Sequence, residues 1–194
     1  MTQPQTDFTD DQLLGHARRL SDEFSGRAAE FDLARKLGQD ASDAMAHAGF
    51  YRLFVPQYLG GLEASPLVSA QIFERLAQGN AACGWVAFIA ATSGSTLGSI
   101  PKDTARAIFN HPNTMIAGVF APAGKASVSN GEVTVSGRWQ WGSGTQNANW
   151  ILGGCLVEAG NSKPSQHMIL MPAEQIGFLD TWHVSGLQGT GSTD

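Results

Sequence analysis

Apolar and polar positions divide the chain into two textures. Leu13, Ala17, Leu20, Phe24, Ala28 and Phe31 recur at steps of three and four, the spacing of one helix face. Leu33, Leu37, Ala41, Ala44 and Ala48 repeat that spacing and stop at Gly49, a residue that readily ends helices. Phe50 to Val55 is a short apolar run, and Pro56 to Glu63, with its Gly60-Gly61 pair, reads as a loop. Ser65-Pro66 is an N-cap followed by a first-turn proline, which predicts a helix to about Gln78. Ala81 to Leu97 is apolar nearly all round and predicts a buried central helix, and Pro101 to Asn110 a further short one.

From Thr114 the pattern changes to alternation and turns. Asn130-Gly131 between Ala126-Ser127-Val128 and Val133-Thr134-Val135 is a strong two-residue hairpin signal. Further strands are predicted at 115–120, 138–143, 149–157, 166–171 and 177–184. The expected architecture is therefore α+β: an N-terminal α-helical domain over 1–112, then an antiparallel β-barrel or sandwich over 113–194. Trp139, Trp141, Trp150 and Trp182 all lie in the second part and are expected to supply much of its core. Gly186 to Asp194 reads as a turn leading onward, and a sheet ending there would carry an unpaired edge. The β domain is expected to be incomplete.

Composition narrows the classes. The 194 residues are 42% hydrophobic and 15% charged, which is globular rather than disordered. A net charge of −5 without a basic stripe argues against nucleic acid. Cys83 and Cys155 stand singly inside apolar runs and read as buried small hydrophobes rather than a disulfide or metal ligands. Met1 to Asp11 is polar and acidic, unlike a secretory leader. The most apolar stretch, Ala81 to Ala91, is short of the about 20 residues a bilayer requires. A reduced, cytoplasmic protein without a membrane partner is the expectation.

Most catalytic motifs are missing. There is no Gly-x-Ser-x-Gly elbow, no Walker loop and no Cys-x-x-Cys, and the histidines at 16, 47, 111, 167 and 183 show no metal-ligand spacing. Gly186-Leu187-Gln188-Gly189-Thr190-Gly191 has its glycines in the reverse of the dinucleotide-binding order, without a strand-to-helix context, so by itself it reads as a turn. Gly137 to Gly144 says more. As a strand it would put Trp139, Trp141 and Ser143 on one face, ending in a hydroxyl between two glycines where a flat ligand could approach. Two core tryptophans and a turn serine would leave the same pattern.

Four segments in order resemble the acyl-CoA dehydrogenase superfamily. Val55-Pro56-Gln57-Tyr58-Leu59-Gly60-Gly61-Leu62 resembles the Pro-x-x-x-Gly-Gly loop after its first helices. Phe120-Ala121-Pro122 with Gly124 is similar to its first flavin loop, and Trp141-Gly142-Ser143-Gly144 with Ala148-Asn149-Trp150 to its second. Trp182 and Gly186 to Ser192 resemble its Gly-Leu-Arg-Gly-Thr-Gly signature. Within the superfamily, Ala121 stands where true dehydrogenases carry an acidic residue, and Lys125-Ala126 follows Gly124. The Phe-Ala-Pro-x-Gly and Trp-x-Ser-Gly forms, with Gly84-Trp85, look instead like the oxygenase components of two-component aromatic monooxygenases, such as the p-hydroxyphenylacetate and secosteroid hydroxylases. Two positions depart from them: Gly142 replaces a frequent second serine, and Ser93 stands where some place a substrate-facing histidine.

The resemblance implies a flavoprotein, with FMN or FAD delivered in reduced form by a separate flavin reductase, O2 as co-substrate and an aromatic small molecule as substrate. It implies that the backbone of Phe120, Ala121, Pro122 and Ala123 surrounds the pyrimidine edge, with N–H groups available from all of them but Pro122. It further implies that Trp141 packs on the ring system and Ser143 bonds near N5, with Trp85 and Ser93 at the substrate pocket. The acid–base residue, the C-terminal helical bundle and the homotetramer it builds belong to a part of such proteins not represented here, so the chain is expected to be a front half that binds flavin poorly and does not catalyse by itself. Two other readings stand beside this one: a true acyl-CoA dehydrogenase oxidising a CoA thioester with FAD, and a truncated, non-catalytic relative.

Overall fold

The computed structural model describes residues 8–158 and 163–194; the polar N-terminus up to Asp7 lies outside them. Six helices come first: α1 Asp10–Ser25, α2 Ala28–Ala34, α3 Gln39–His47, α4 Pro66–Gly79, α5 Ala81–Ser95 and α6 Lys102–Phe109. Four strands follow: β1 Ile116–Ser129, β2 Glu132–Gly137, β3 Trp150–Glu158 and β4 Ser165–Pro172. The helical-then-β order is the one the periodicity predicts.

The first apolar row is two helices, not one. Thr9 opens α1 with a reciprocal cap: Gln12 N–H donates to Thr9 Oγ1, and Thr9 N–H donates to Gln12 Oε1. Leu13, Ala17, Leu20 and Phe24 face the core, and the chain breaks at Gly26-Arg27 before α2. The second row begins in the wrong place. Arg35 takes a left-handed φ of 52° and ends α2, so Leu33 points outward at 89% exposure while Leu37 is buried in the new direction set by α3.

Asn80 caps α5 by accepting from the N–H groups of Ala82 and Cys83. The helix runs on through a 3-10 turn, so Ala81–Ser99 is long and apolar enough to cross a membrane by length and composition, longer than the apolar core at 81–91 suggests. More than half of it is buried in the protein. It is not buried all round, however: Trp85 and Phe88 are 44% and 38% exposed. A Cβ on Gly84 would lie 2.7 Å from the Ala77 Cβ, so glycine there lets α5 pack against α4.

The sheet departs from expectation in its topology and in its strands. It is an open, four-stranded, mixed sheet of order β2-β1-β3-β4 rather than an antiparallel barrel, because β1 runs parallel to β3. The hairpin forms as predicted, with Asn130 and Gly131 at φ 53° and 81° and Ser129 opposite Glu132. The runs 115–120 and 126–128 are one strand carrying a bulge: the register passes from Val119 opposite Gly153 to Gly124 opposite Cys155. Phe120 to Ala123 stand out of the ladder, and the carbonyls of Phe120 and Ala121 occupy the space a Cβ on Gly154 would need.

Segment 138–143 is not a strand. Trp139 folds back across the sheet onto a floor of Gly124, Gly137 and Gly153, and its indole donates to the Gly154 carbonyl at 2.8 Å. Segment 177–184 is not a strand either: Thr181 N–H bonds back to Leu179 and His183 N–H to Thr181, a run of two tight turns. Nor do the tryptophans build the core. Trp141 is 71% exposed and Trp139, Trp150 and Trp182 are only partly buried. The main cluster is aliphatic and phenylalanine-rich and joins the helices to the sheet through Met115, Ala117 and Ile151.

Candidate functional site

Ser143 sits where the two halves meet. Its Oγ accepts from the indole Nε1 of Trp85 at 2.9 Å, lies 2.7 Å from Ser192 Oγ, and is 9% exposed. Ser192 Oγ is in turn 2.7 Å from Thr190 Oγ1, whose hydroxyl donates to the Leu187 carbonyl at 2.9 Å. Backbone bonds lock the two loops together: Gly144 N–H donates to Thr190 O and Gly142 N–H to Thr193 O, each at 2.8 Å. The stretch 186–192, a turn when read alone, is thus the other wall of the Ser143 site. Thr190 and Ser192 belong to the site although neither stood out as a functional candidate; the glycines around them were the signal that could have marked them.

The glycines flanking Ser143 answer to the protein below them. A Cβ on Gly142 would meet Thr145 at 2.9 Å, and one on Gly144, at φ 71°, would meet Met115 and Val86. Gly189 has the same reason: its Cβ would lie 3.0 Å from Phe31 and 3.2 Å from Ala82. Close packing, within the loop at Gly142, onto α5 and Met115 at Gly144 and onto α2 and α5 at Gly189, rather than ligand access, requires glycine at these positions.

Trp141 has a left-handed φ of 64°, rare for a bulky residue, and that conformation throws its ring outward beside Ser143. Phe120 is half exposed on the β1 bulge, Ala121, Pro122 and Ala123 are exposed, and Gln166 donates weakly to the Phe120 carbonyl at 3.4 Å. The indole of Trp85 packs against Phe88 with ring centroids 5.5 Å apart. Together Trp85, Phe88, Trp141 and Phe120 leave a large aromatic area in contact with solvent.

Two cavities flank this region. One of about 590 Å³ covers the sheet face between Val135, Trp139, Leu152, Met171 and Phe178 and reaches Gly142 and Thr193 beside the Ser143 loop, and one of about 670 Å³ lies apart from it between α6 and Trp150. Ser93 lines neither and is only 1% exposed on the inner side of α5, so it does not share the surface that carries Trp85. Charge near the site is peripheral. Arg138 pairs with Asp194 at 2.7 Å and holds its carboxyl below the usual carboxylate range. Arg35 donates to Asp180 at 2.9 Å and to the Trp182 carbonyl at 3.1 Å, anchoring the segment before Gly186 onto the end of α2.

Residues 9–101 match the acyl-CoA dehydrogenase N-terminal domain family. Over 169 residues the chain is 34% identical to an indole-3-acetate monooxygenase of Pseudomonas putida, covering 87% of this chain and 43% of that protein. It is 32% identical to the flavin-dependent monooxygenase oxygenase subunit HsaA of Rhodococcus jostii, covering 86% and 44%. The crystal structure of the HsaA monooxygenase from M. tuberculosis superposes with a TM-score of 0.87 at 29% identity, covering 96% of this chain and 49% of that one. The chain therefore spans about half the length of the relatives it matches. With a helical domain followed by a bulged sheet, the chain carries an acyl-CoA dehydrogenase N-terminal domain over residues 9–101 and is similar along both parts to the oxygenase components of flavin-dependent monooxygenases.

Proposed function

We propose that this chain forms the flavin-holding part of an oxygenase component that hydroxylates an aromatic substrate, using O2 and reduced FMN or FAD supplied by a separate reductase. The observation that carries the reading is the Ser143 hydroxyl, fixed by Trp85 at 2.9 Å beside the outward-turned Trp141. The residues fit a flavin. Ser143 is suited to meet N5, Trp141 to cover the ring system, and the backbone of the β1 bulge at Phe120–Ala123, freed from the ladder, to meet the pyrimidine edge. The bulge is seated on Gly154, where any side chain would displace it.

A reduced flavin held by Ser143, Trp141 and the Phe120–Ala123 bulge would supply the two electrons for the oxygen chemistry, in which one atom of O2 goes to the ring and the other to water. The chain's own residues orient and shield. Trp85 holds the Ser143 oxygen in place, and the exposed faces of Trp85 and Phe88 offer an apolar wall for an aromatic substrate while excluding water. Ala121 supports the oxygenase reading over a dehydrogenase, because it puts a methyl group where an acidic side chain would stand.

The test is anaerobic binding. The protein should bind reduced FMN or FAD, and Ser143→Ala should weaken that binding. Bleaching of bound FAD by a CoA thioester would place the chain with the dehydrogenases, and binding of neither flavin would favour a non-catalytic role.

A further inference from the structure

Donor inventories fix the direction of the hydroxyl chain beneath Ser143. The Trp85 indole N–H can only donate, so Ser143 Oγ accepts from it. At the far end the Leu187 carbonyl can only accept, and the Thr190 hydroxyl donates to it. Thr190 has a single hydroxyl proton, so in its 2.7 Å contact with Ser192 the donor is Ser192. Ser192 is then committed, and in its 2.7 Å contact with Ser143 the donor is Ser143. Every hydroxyl proton is paired in this direction. The reverse direction forfeits the Thr190–Leu187 bond and strands the Ser143 proton. Thr190 and Ser192 are 2% and 4% exposed, so water does not replace what is lost.

We infer that Thr190 and Ser192 hold Ser143 as a hydrogen-bond acceptor toward its ligand, and thereby select the reduced over the oxidised state of a bound flavin. The inference rests on the reading above, in which Ser143 meets N5. With its proton given to Ser192 and one lone pair to Trp85, Ser143 has one lone pair left. Reduced flavin carries a hydrogen on N5 that matches it. Oxidised flavin presents N5 as an acceptor, and the two lone pairs oppose each other until the chain reverses at the cost of the Thr190–Leu187 bond. One neutral hydrogen bond corresponds to about two- to tenfold in affinity. An oxygenase loaded with reduced flavin and left with oxidised flavin gains from that bias: it captures the first and releases the second. Thr190 and Ser192 act through Ser143 and are positioning residues.

The bias is the ratio of the dissociation constants of oxidised and reduced FMN, measured anaerobically by fluorescence titration, with FAD in parallel. Ser192→Ala frees the Ser143 proton, so oxidised FMN should tighten and the ratio fall about two- to tenfold. Thr190→Val removes the acceptor of the Ser192 proton and should act in the same direction. Ser192→Thr keeps a hydroxyl and should keep the ratio. A tenfold fall lowers the two-electron midpoint potential of bound FMN by about 30 mV. Unchanged ratios in both Ser192→Ala and Thr190→Val, with flavin still bound, overturn the inference and leave the flavin reading standing. Binding of neither redox state by the unaltered protein overturns both.

Discussion

The indole of Trp85 donates to the hydroxyl of Ser143 at 2.9 Å, joining a helix residue to a loop residue 58 positions later. The helix side of that bond depends on Gly84, whose missing side chain lets α5 approach α4 and so sets where the neighbouring indole lies. The loop side depends on Gly142 and Gly144, each bonded to the 190–193 segment.

Trp85→Phe keeps a ring against Phe88 and removes only the N–H. Folding stability measured by urea denaturation should fall by about 0.5–1.5 kcal/mol. Combined with Ser143→Ala, the losses should fall short of additive, since both changes break one bond. Strict additivity would mean that the bond contributes nothing to folding.

Gly84→Ala places a methyl group 2.7 Å from the Ala77 Cβ and 2.8 Å from the Phe73 carbonyl. The helices must separate, at a cost of about 1–3 kcal/mol, and Trp85 should move with α5. A lower thermal midpoint together with weaker flavin binding is the expected pair of results; a midpoint equal to that of the unaltered protein would show that the helices were not in tight contact.

Arg52 is a buried cation without a carboxylate partner among the described residues. Its guanidinium donates to the carbonyls of Gly60, Phe109 and His111 at 3.1, 2.7 and 2.6 Å and lies over the Phe109 ring. Burial pulls its pKa down to about 10, which still leaves it charged at neutral pH. Arg52→Met should cost about 3–5 kcal/mol by stranding three carbonyls, and Arg52→Lys should recover little because an ammonium group lacks the planar fork. Equal stability of the Lys variant and the unaltered protein in guanidinium melts would refute the fork argument.

Burial pushes the Cys83 thiol up to about 12 and raises that of Cys155 as well. At pH 8 neither should react with Ellman's reagent in the folded protein, and both should react in denaturant. Rapid labelling of either in the native state would contradict the packing.

Arg35 holds the Asp180 carboxyl below the usual carboxylate range. A carboxylate with a lowered folded pKa contributes stability above its unfolded value of about 4, and that contribution is lost as pH falls through the lower folded value. Acid below about pH 4 should therefore release the 178–183 segment, read as a change in Trp182 fluorescence. Asp180→Asn should abolish that transition; its persistence at the same pH would assign it to another group.

The local grammar of the chain was legible wherever one residue decides its own conformation. Ser65-Pro66 opens α4, Asn130-Gly131 turns the hairpin, and the row from Leu13 to Phe24 faces the core. The family-like loops at Phe120, Ser143 and Gly189 were legible for a related reason: bulge, left-handed turn and close packing each demand particular small residues.

What the chain could not announce were consequences of contact at a distance. Alternating residues at 138–143 and 177–184 look like strands, yet Trp139 gains more by lying on three glycines of other strands, and Arg35 and Thr193 hold 179–181 in turns. The parallel pairing of β1 with β3 opens the expected barrel into a sheet. Ser143 carried its chemistry in its identity, but a hydroxyl can donate or accept. Only its placement between an indole that must donate and a serine whose proton is already committed decides which it does.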